Sequence, residues 1–224
     1  AQALKKAKLP CSVHLPFIDL RPGSPDPLIV DATRVRLATA MTLVDIYQPA
    51  LMIGHPNFRA DSDNLDEWLG RTAETWLEFL GRSATPPALY LENTFEETPD
   101  SLVQLMERLQ RDRDANMDIG ICFDVGHWYC FAKGWELDHL ETWVEAFAPY
   151  MRHLHLHDND GSWDQHLGMG AGTLPWESFF TLLQEKNLTP TVTLEPHSEE
   201  ALGQTLGFMA EHETWFQPLL ADRV

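Results

Sequence analysis

The chain has 224 residues, 44% of them hydrophobic, and carries a formal charge of −18 from 16 Lys and Arg against 34 Asp and Glu. That length suits one large domain, expected over residues 1–224, with a sizeable buried core. No run of 18 or more apolar residues exists, so the sequence holds no membrane-spanning helix. Duplex DNA is bound by cations that neutralise its phosphates; with only five lysines, three of them at Lys5, Lys6 and Lys8, the chain argues against nucleic acid as a partner. Cys11, Cys122 and Cys130 form neither a disulfide framework nor a Cys-x-x-Cys pair, which fits a reducing cytoplasm and argues against a thiolate zinc site.

In chain order, AQALKKAK reads as the tail of a helix that runs into a strand, CSVHLPF (11–17), and RPGSPDP (21–27) reads as a loop. Further strands follow at ALMIGHP (50–56), ALYLENT (88–94), IGICFDVGH (119–127), HLHLHD (153–158) and TVTLEP (191–196). All are apolar on both faces or nearly so, as parallel strands covered on both sides require. Helical spacing links Leu65, Trp68, Leu69, Thr72, Trp76 and Leu80 after Asp63. It recurs in Trp176, Phe179, Phe180 and Leu183 behind Pro175, a favoured first-turn residue. A further helix follows Ser198, with Glu199 and Glu200 at its positive end. Strand then helix, six times over, implies a parallel sheet of the α/β class. The expected fold is a (β/α) TIM-type barrel that lacks its first two βα units in this chain, since a closed barrel uses eight. An open barrel exposes strand edges and calls for a partner or a homo-oligomer.

Each strand ends in a residue able to bind metal or move a proton: His14, His55, Glu92, Asp124 with His127, His155, and Glu195. Successive leading positions are 31 to 41 residues apart, about one βα unit each. In a barrel, equivalent strand ends meet at one mouth. Asp164 and His166 follow in the loop DNDGSWDQHLGMGAG, whose glycines are expected to bring its backbone close to the site. Taken singly, a strand-end histidine such as His14 is more often a hydrogen-bonded structural residue than a ligand. Taken as a set, buried carboxylates and imidazoles at every strand end need partners. His157 and Asp158 are expected to orient neighbouring ligands, and Arg59, just past His55, to meet a phosphate or carboxylate of the substrate.

These pieces carry a resemblance. His14 in SVHLPF, His55 in GHP, Glu92 in LENT, Asp124 and His127 in FDVGH, His155 in HLHD, Asp164 and His166 in DQHLGMGAG and Glu195 in LEP together resemble the xylose isomerase-like TIM barrels, the superfamily that also holds endonuclease IV. The resemblance runs from about residue 11 to residue 197. It implies that Glu92, Asp124, His155 and Glu195 bind one divalent metal (Mn, Mg, Co or Zn). It also implies that Glu92 and Glu195 move protons on either side of a sugar carbon. In the endonuclease IV branch, His14, His55, His127, Asp164 and His166 complete a three-zinc cluster. Three readings stay open: a metal-dependent isomerase or epimerase of a small sugar or sugar phosphate, an endonuclease IV-like multinuclear zinc hydrolase, and a non-catalytic binding module.

Overall fold

The computed structural model describes residues 1–220; residues 221–224, the end of the expected domain, lie outside the described residues. Two compact units form, Ala1–Glu92 with Asp100–Gly120, and Asn93–Pro99 with the chain from Ile121 onward. Among the described residues, no helix is long and apolar enough to cross a membrane.

The first unit runs α1 (Gln2–Ala7), β1 (Ser12–His14), α2 (Pro27–Tyr47), β2 (Leu51–Gly54), α3 (Leu65–Leu80), β3 (Ala88–Glu92) and α4 (Asp100–Asp112). β1 and β2 pair in parallel with His14 opposite Ile53, and β2 and β3 with Ile53 opposite Tyr90. Helix starts are written locally. Asp26 accepts a hydrogen bond from the Leu28 amide with Pro27 in the first turn, and Asn64 accepts one from the Glu67 amide. The core joins Met52, Ile53, Leu89 and Leu91 of the strands to Trp68, Trp76, Phe79 and Leu80 of α3 and Leu102, Leu105 and Leu109 of α4.

The second unit contains the last four residues of β4 (Ile119–Asp124), then α5 (Val125–Phe131), α6 (Gly134–Leu137), α7 (Leu140–Phe147), β5 (Met151–Leu156), α8 (Trp176–Glu185), β6 (Thr191–Leu194), α9 (Glu199–Glu211) and α10 (Glu213–Leu220). β4 pairs in parallel with β5, setting Asp124 opposite His155, and β5 pairs in parallel with β6, setting His155 opposite Thr193. Phe123 anchors the core, edge-on to Phe147 at 5.3 Å and to Phe179 at 6.0 Å. The strand-then-helix order holds six times among the described residues.

Two expectations are corrected. The strand read over 119–127 stops at Asp124, because that side chain turns back to accept the His127 amide at 2.7 Å and starts a helix. The glycines of the 158–172 loop do not approach the histidine-rich site. Gly168 lies against Ala201 and Gln204, Gly170 against Phe208, and Gly172 against Asn159, so they fit the loop to α9 and to itself.

Candidate metal centre

In the first unit, parallel register brings three strand-end residues together. His14 closes β1, His55 follows β2 and Glu92 closes β3. Glu92 is buried, and its Oε2 lies 3.2 Å from His14 Nε2 and 3.0 Å from His55 Nε2. His14 Nδ1–H donates to the Leu15 carbonyl at 3.0 Å, which turns Nε2 toward the carboxylate. Phe17 stacks on His55 at 4.4 Å. Arg59 is exposed in the loop beyond His55; its backbone amide donates to Asp63, which also holds Arg21 at 2.6 Å.

In the second unit, Asp124 and His155 are sealed from solvent and Glu195 is partly exposed. His155 Nδ1 lies 3.3 Å from Glu195 Oε1 and 3.8 Å from Asp124 Oδ2. Asn93, which spacing alone does not single out, fixes this strand end. It accepts from the Asp124 amide at 2.8 Å, donates to the Asp124 carbonyl at 2.9 Å, and takes His127 Nδ1–H on its own carbonyl at 2.9 Å. Its only signal in the sequence is its place directly after Glu92 in LENT.

A second group in this unit joins His127, His157, Asp164 and His166, with ligand atoms all within 4.8 Å of one another. His166 Nε2 is 3.1 Å and His127 Nε2 3.4 Å from Asp164 Oδ2. His166 Nδ1–H donates to the Glu195 carbonyl at 2.6 Å, and its backbone sits in the left-handed region at φ 49°. His157 is fully buried. Its Nε2–H donates to both Asp124 oxygens at 3.2 and 3.3 Å, and its ring stacks on His166 at 3.8 Å. The outer face of His166 is covered by His197 at 3.7 Å, a second residue not singled out from the sequence. Gly126 is required here, since a Cβ would stand 2.0 Å from the His157 ring.

Asp158 acts on the loop. Its carboxylate accepts from the Gly170 amide at 2.8 Å, the Leu174 amide at 3.2 Å and the Trp176 indole at 2.8 Å. His153, with Cys122 and His155, forms another close group, but both its nitrogens meet threonine hydroxyls, of Thr191 and Thr193.

The electrostatics follow from these contacts. Burial alone would raise the Asp164 carboxyl; hydrogen bonds from His127 and His166 and the charges of His127 and His157 instead hold it far below the usual carboxylate range. Burial alone would lower His166, but its bond to Asp164 and that carboxylate's charge raise it. The Cys130 thiol is pushed up to about 12 by burial and by the charges of Asp164 and Asp124, so it offers no thiolate.

The sequence matches the family described as "Xylose isomerase-like TIM barrel" over residues 1–212. The chain belongs to the xylose isomerase-like TIM-barrel family. Among curated family relatives, the probable endonuclease 4 of Mycobacterium ulcerans is 26% identical over 178 residues, 78% of this chain and 68% of that protein. The uncharacterized protein MJ1311 of Methanocaldococcus jannaschii is 26% identical over 82% of this chain and 63% of its own. Among solved structures, a D-tagatose 3-epimerase-like protein aligns at TM-score 0.76 with 21% identity, covering 96% of this chain and 82% of that one. The TTHB071 protein of Thermus thermophilus, from a ZnCl2 soak, aligns at TM-score 0.69 with 28% identity, covering 94% and 82%. The fold is therefore the (β/α) TIM-barrel fold of this family, with six βα units here.

The donor set of each unit fits a divalent cation. His14, His127 and His166 each spend Nδ1–H on a backbone carbonyl and turn Nε2 to a carboxylate. Histidines that bind metal are oriented this way, with the other ring nitrogen fixed by a hydrogen bond. Buried Asp164 Oδ1 has no hydrogen-bond partner in the structure, as a ligand-directed atom would.

Proposed function

We propose that the protein is a divalent-metal-dependent isomerase or epimerase of a sugar or sugar phosphate. The observation that carries this reading is the convergence of Asp124, His155 and Glu195 in the second unit, two sealed and one partly open to solvent. Asp124 and His155 are suited to hold a metal, and Glu195 to reach a substrate as well. Glu92 is the proposed fourth ligand and second proton-transfer group. A mixed set of carboxylates and one imidazole suits Mn, Mg, Co or Zn. The bound metal would polarise the sugar carbonyl and hydroxyl. Glu195 would take the proton from the carbon beside the carbonyl, and Glu92 would return one. Arg59 is proposed to steady an anionic or polar substituent. The sugar epimerases among the structural neighbours support this reading.

The test is proton NMR of the Mn-loaded protein in D2O with a panel of ketoses. Deuterium should enter the carbon whose configuration changes, and Glu195→Gln should slow turnover by about 10²–10⁴-fold. Turnover without deuterium, or an unaffected Glu195→Gln variant, would remove the proposal.

A second reading, a multinuclear zinc hydrolase, is favoured by a specific observation. His14, His55 and Glu92 form one further candidate metal group and His127, His157, Asp164 and His166 another. Metal counting separates the two readings. About three metals per chain, with about one lost in the Asp164→Asn, His166→Gln double variant, would place the protein with the hydrolases. About one metal, unchanged in that variant while substrate binds more weakly, is the outcome expected of the isomerase.

A further inference from the structure

Polar side chains occupy two successive levels of the sheet in the second unit, and the proposed metal ligands use only the level at the strand ends. Asp124, His155 and Thr193 stand opposite one another across β4, β5 and β6, and two residues earlier so do Cys122, His153 and Thr191. Residues two apart on a strand share a face, so both levels lie on one face of the sheet. Inside a barrel such positions are ordinarily filled by Val, Ile and Leu. Here the earlier level holds a thiol, an imidazole and a hydroxyl, with Cys122 and His153 sealed from solvent. Cys122, His153 and His155 each offer one ligand atom, and the three atoms lie within 4.8 Å of one another. The two imidazole rings meet edge-on at 5.4 Å.

The hydrogen bonds of His153 set its tautomer. The Thr191 hydroxyl donates to the Arg152 carbonyl at 3.0 Å. Its one proton is used there, so at its contact with His153 Nδ1 the Thr191 oxygen accepts and Nδ1 carries the hydrogen. In the neutral imidazole Nε2 then holds the lone pair, which accepts from the Thr193 hydroxyl at 2.9 Å. This is the arrangement of a metal-binding histidine, with one nitrogen fixed by a hydrogen bond and the other basic. A hydroxyl rotates to suit its surroundings, so an ion reaching Nε2 displaces one hydrogen bond and no packed group.

We propose that Cys122, His153 and His155 form a second metal site, for a thiophilic ion of the zinc or cadmium kind, that shares His155 with the Asp124 and Glu195 centre. No Cys-x-x-Cys pair is needed, because parallel register rather than chain spacing supplies the partners of the sulfur. On binding, the Cys122 thiol gives its proton to solvent and the thiolate takes the ion. One thiolate with two imidazoles favours a softer ion, whereas two carboxylates with one imidazole favour a harder one such as manganese or magnesium. An ion held by Cys122 draws on His155, so the two sites compete and thiophilic ions weaken the hold on the harder metal. This competition rests on the metal centre read above; the thiolate site itself does not.

The experiment is a cadmium titration of the chelator-treated full chain, followed by the ultraviolet thiolate-to-cadmium charge-transfer band, with and without excess manganese. Manganese uptake is counted separately from the paramagnetic resonance signal of the free ion. The expected result is a band that saturates at about one cadmium per chain, in wild type and in the Cys11→Ser, Cys130→Ser double variant, which keeps Cys122 as its one thiol. Cys122→Ser should abolish the band. His153→Gln should weaken cadmium binding about tenfold or more, and manganese should weaken it in wild type by a similar factor. The site is overturned by an absent band in the double variant, by a band that survives in Cys122→Ser, or by unchanged affinity in His153→Gln. A band indifferent to manganese that does bind overturns the sharing of His155. If wild type takes up no manganese, the reading of the Asp124 and Glu195 centre falls, while the band still decides the thiolate site.

Discussion

Asp164 and His166 illustrate how single residues set the behaviour of the centre. In the metal-free protein Asp164 is held below its ordinary value of 3.8, so its contribution to stability is complete above 3.8 and is lost as pH falls through the depressed value. His166 is raised above 6.5, so its contribution is complete below 6.5 and is lost as pH rises through the raised value. The pair should therefore stabilise the chelator-treated protein most between pH 3.8 and 6.5. Urea midpoints of wild type and Asp164→Asn, measured from about pH 3 to 9, should differ most inside that window; a gap that ignores pH would sink the assignment. Gly126 gives a second test at this scale. A Cβ there would stand 2.0 Å from the ring of buried His157, so one of the two must shift. Gly126→Ala should cost about 3 kcal/mol, at the upper end of overpacking penalties, and a thermal melt within a degree or two of wild type would show that His157 can move away.

At the scale of elements, the loop 158–172 behaves as a fixed part because one buried carboxylate fastens it. Asp158→Ala would strand the Gly170 and Leu174 amides and the Trp176 indole, at about 1–3 kcal/mol for each buried donor left unmet. The expected outcome is a loss of about 3 kcal/mol or more in chemical denaturation, with faster hydrogen exchange across the loop. Unchanged exchange there would mean that the glycine contacts with α9 suffice. The six strands were legible because continuous apolar runs betray two-sided burial, and Ser198 marks a helix start by capping; the start read after Asp63 falls at Asn64, and the helix capped by Asp26 was not read behind its proline-rich loop. The end of β4 was not legible. Val125 and Gly126 continue the apolar run, and only the direction of the Asp124 side chain decides that a helix begins. In the same way the candidate residues at the strand ends could be read from spacing, whereas Asn93 and His197 make a backbone lock and a ring stack that no spacing reveals. The role expected of Asp158, orienting a ligand, competes with what its oxygens do, which is to hold the loop.

At the scale of the whole molecule, charge and kinship point in different directions. Curated relatives include proteins described as probable endonuclease 4, at 26% identity, while the chain carries −18 with 16 Lys and Arg in 224 residues. Non-specific affinity for duplex DNA comes from released counterions, so it scales with the number of phosphates met by cations. Several of this protein's arginines are already committed to acids four residues away in the chain: Arg71 to Glu67, Arg82 to Glu78 and Arg108 to Asp112. Arg21 is committed to Asp63, and Arg34 to Glu74 and Glu78. Paired in this way, they would have to give up a carboxylate before meeting a phosphate, while the excess acids repel the duplex. The expected outcome is no measurable binding to duplex DNA at physiological salt and no cleavage at abasic sites by the Zn- or Mn-loaded protein. Fluorescence anisotropy with a labelled abasic duplex at about 50 and 200 mM salt, together with a gel assay for strand scission, checks both. Nanomolar affinity that falls steeply over that range would mean that a cationic track outweighs the net charge, and would move the protein to the hydrolase reading.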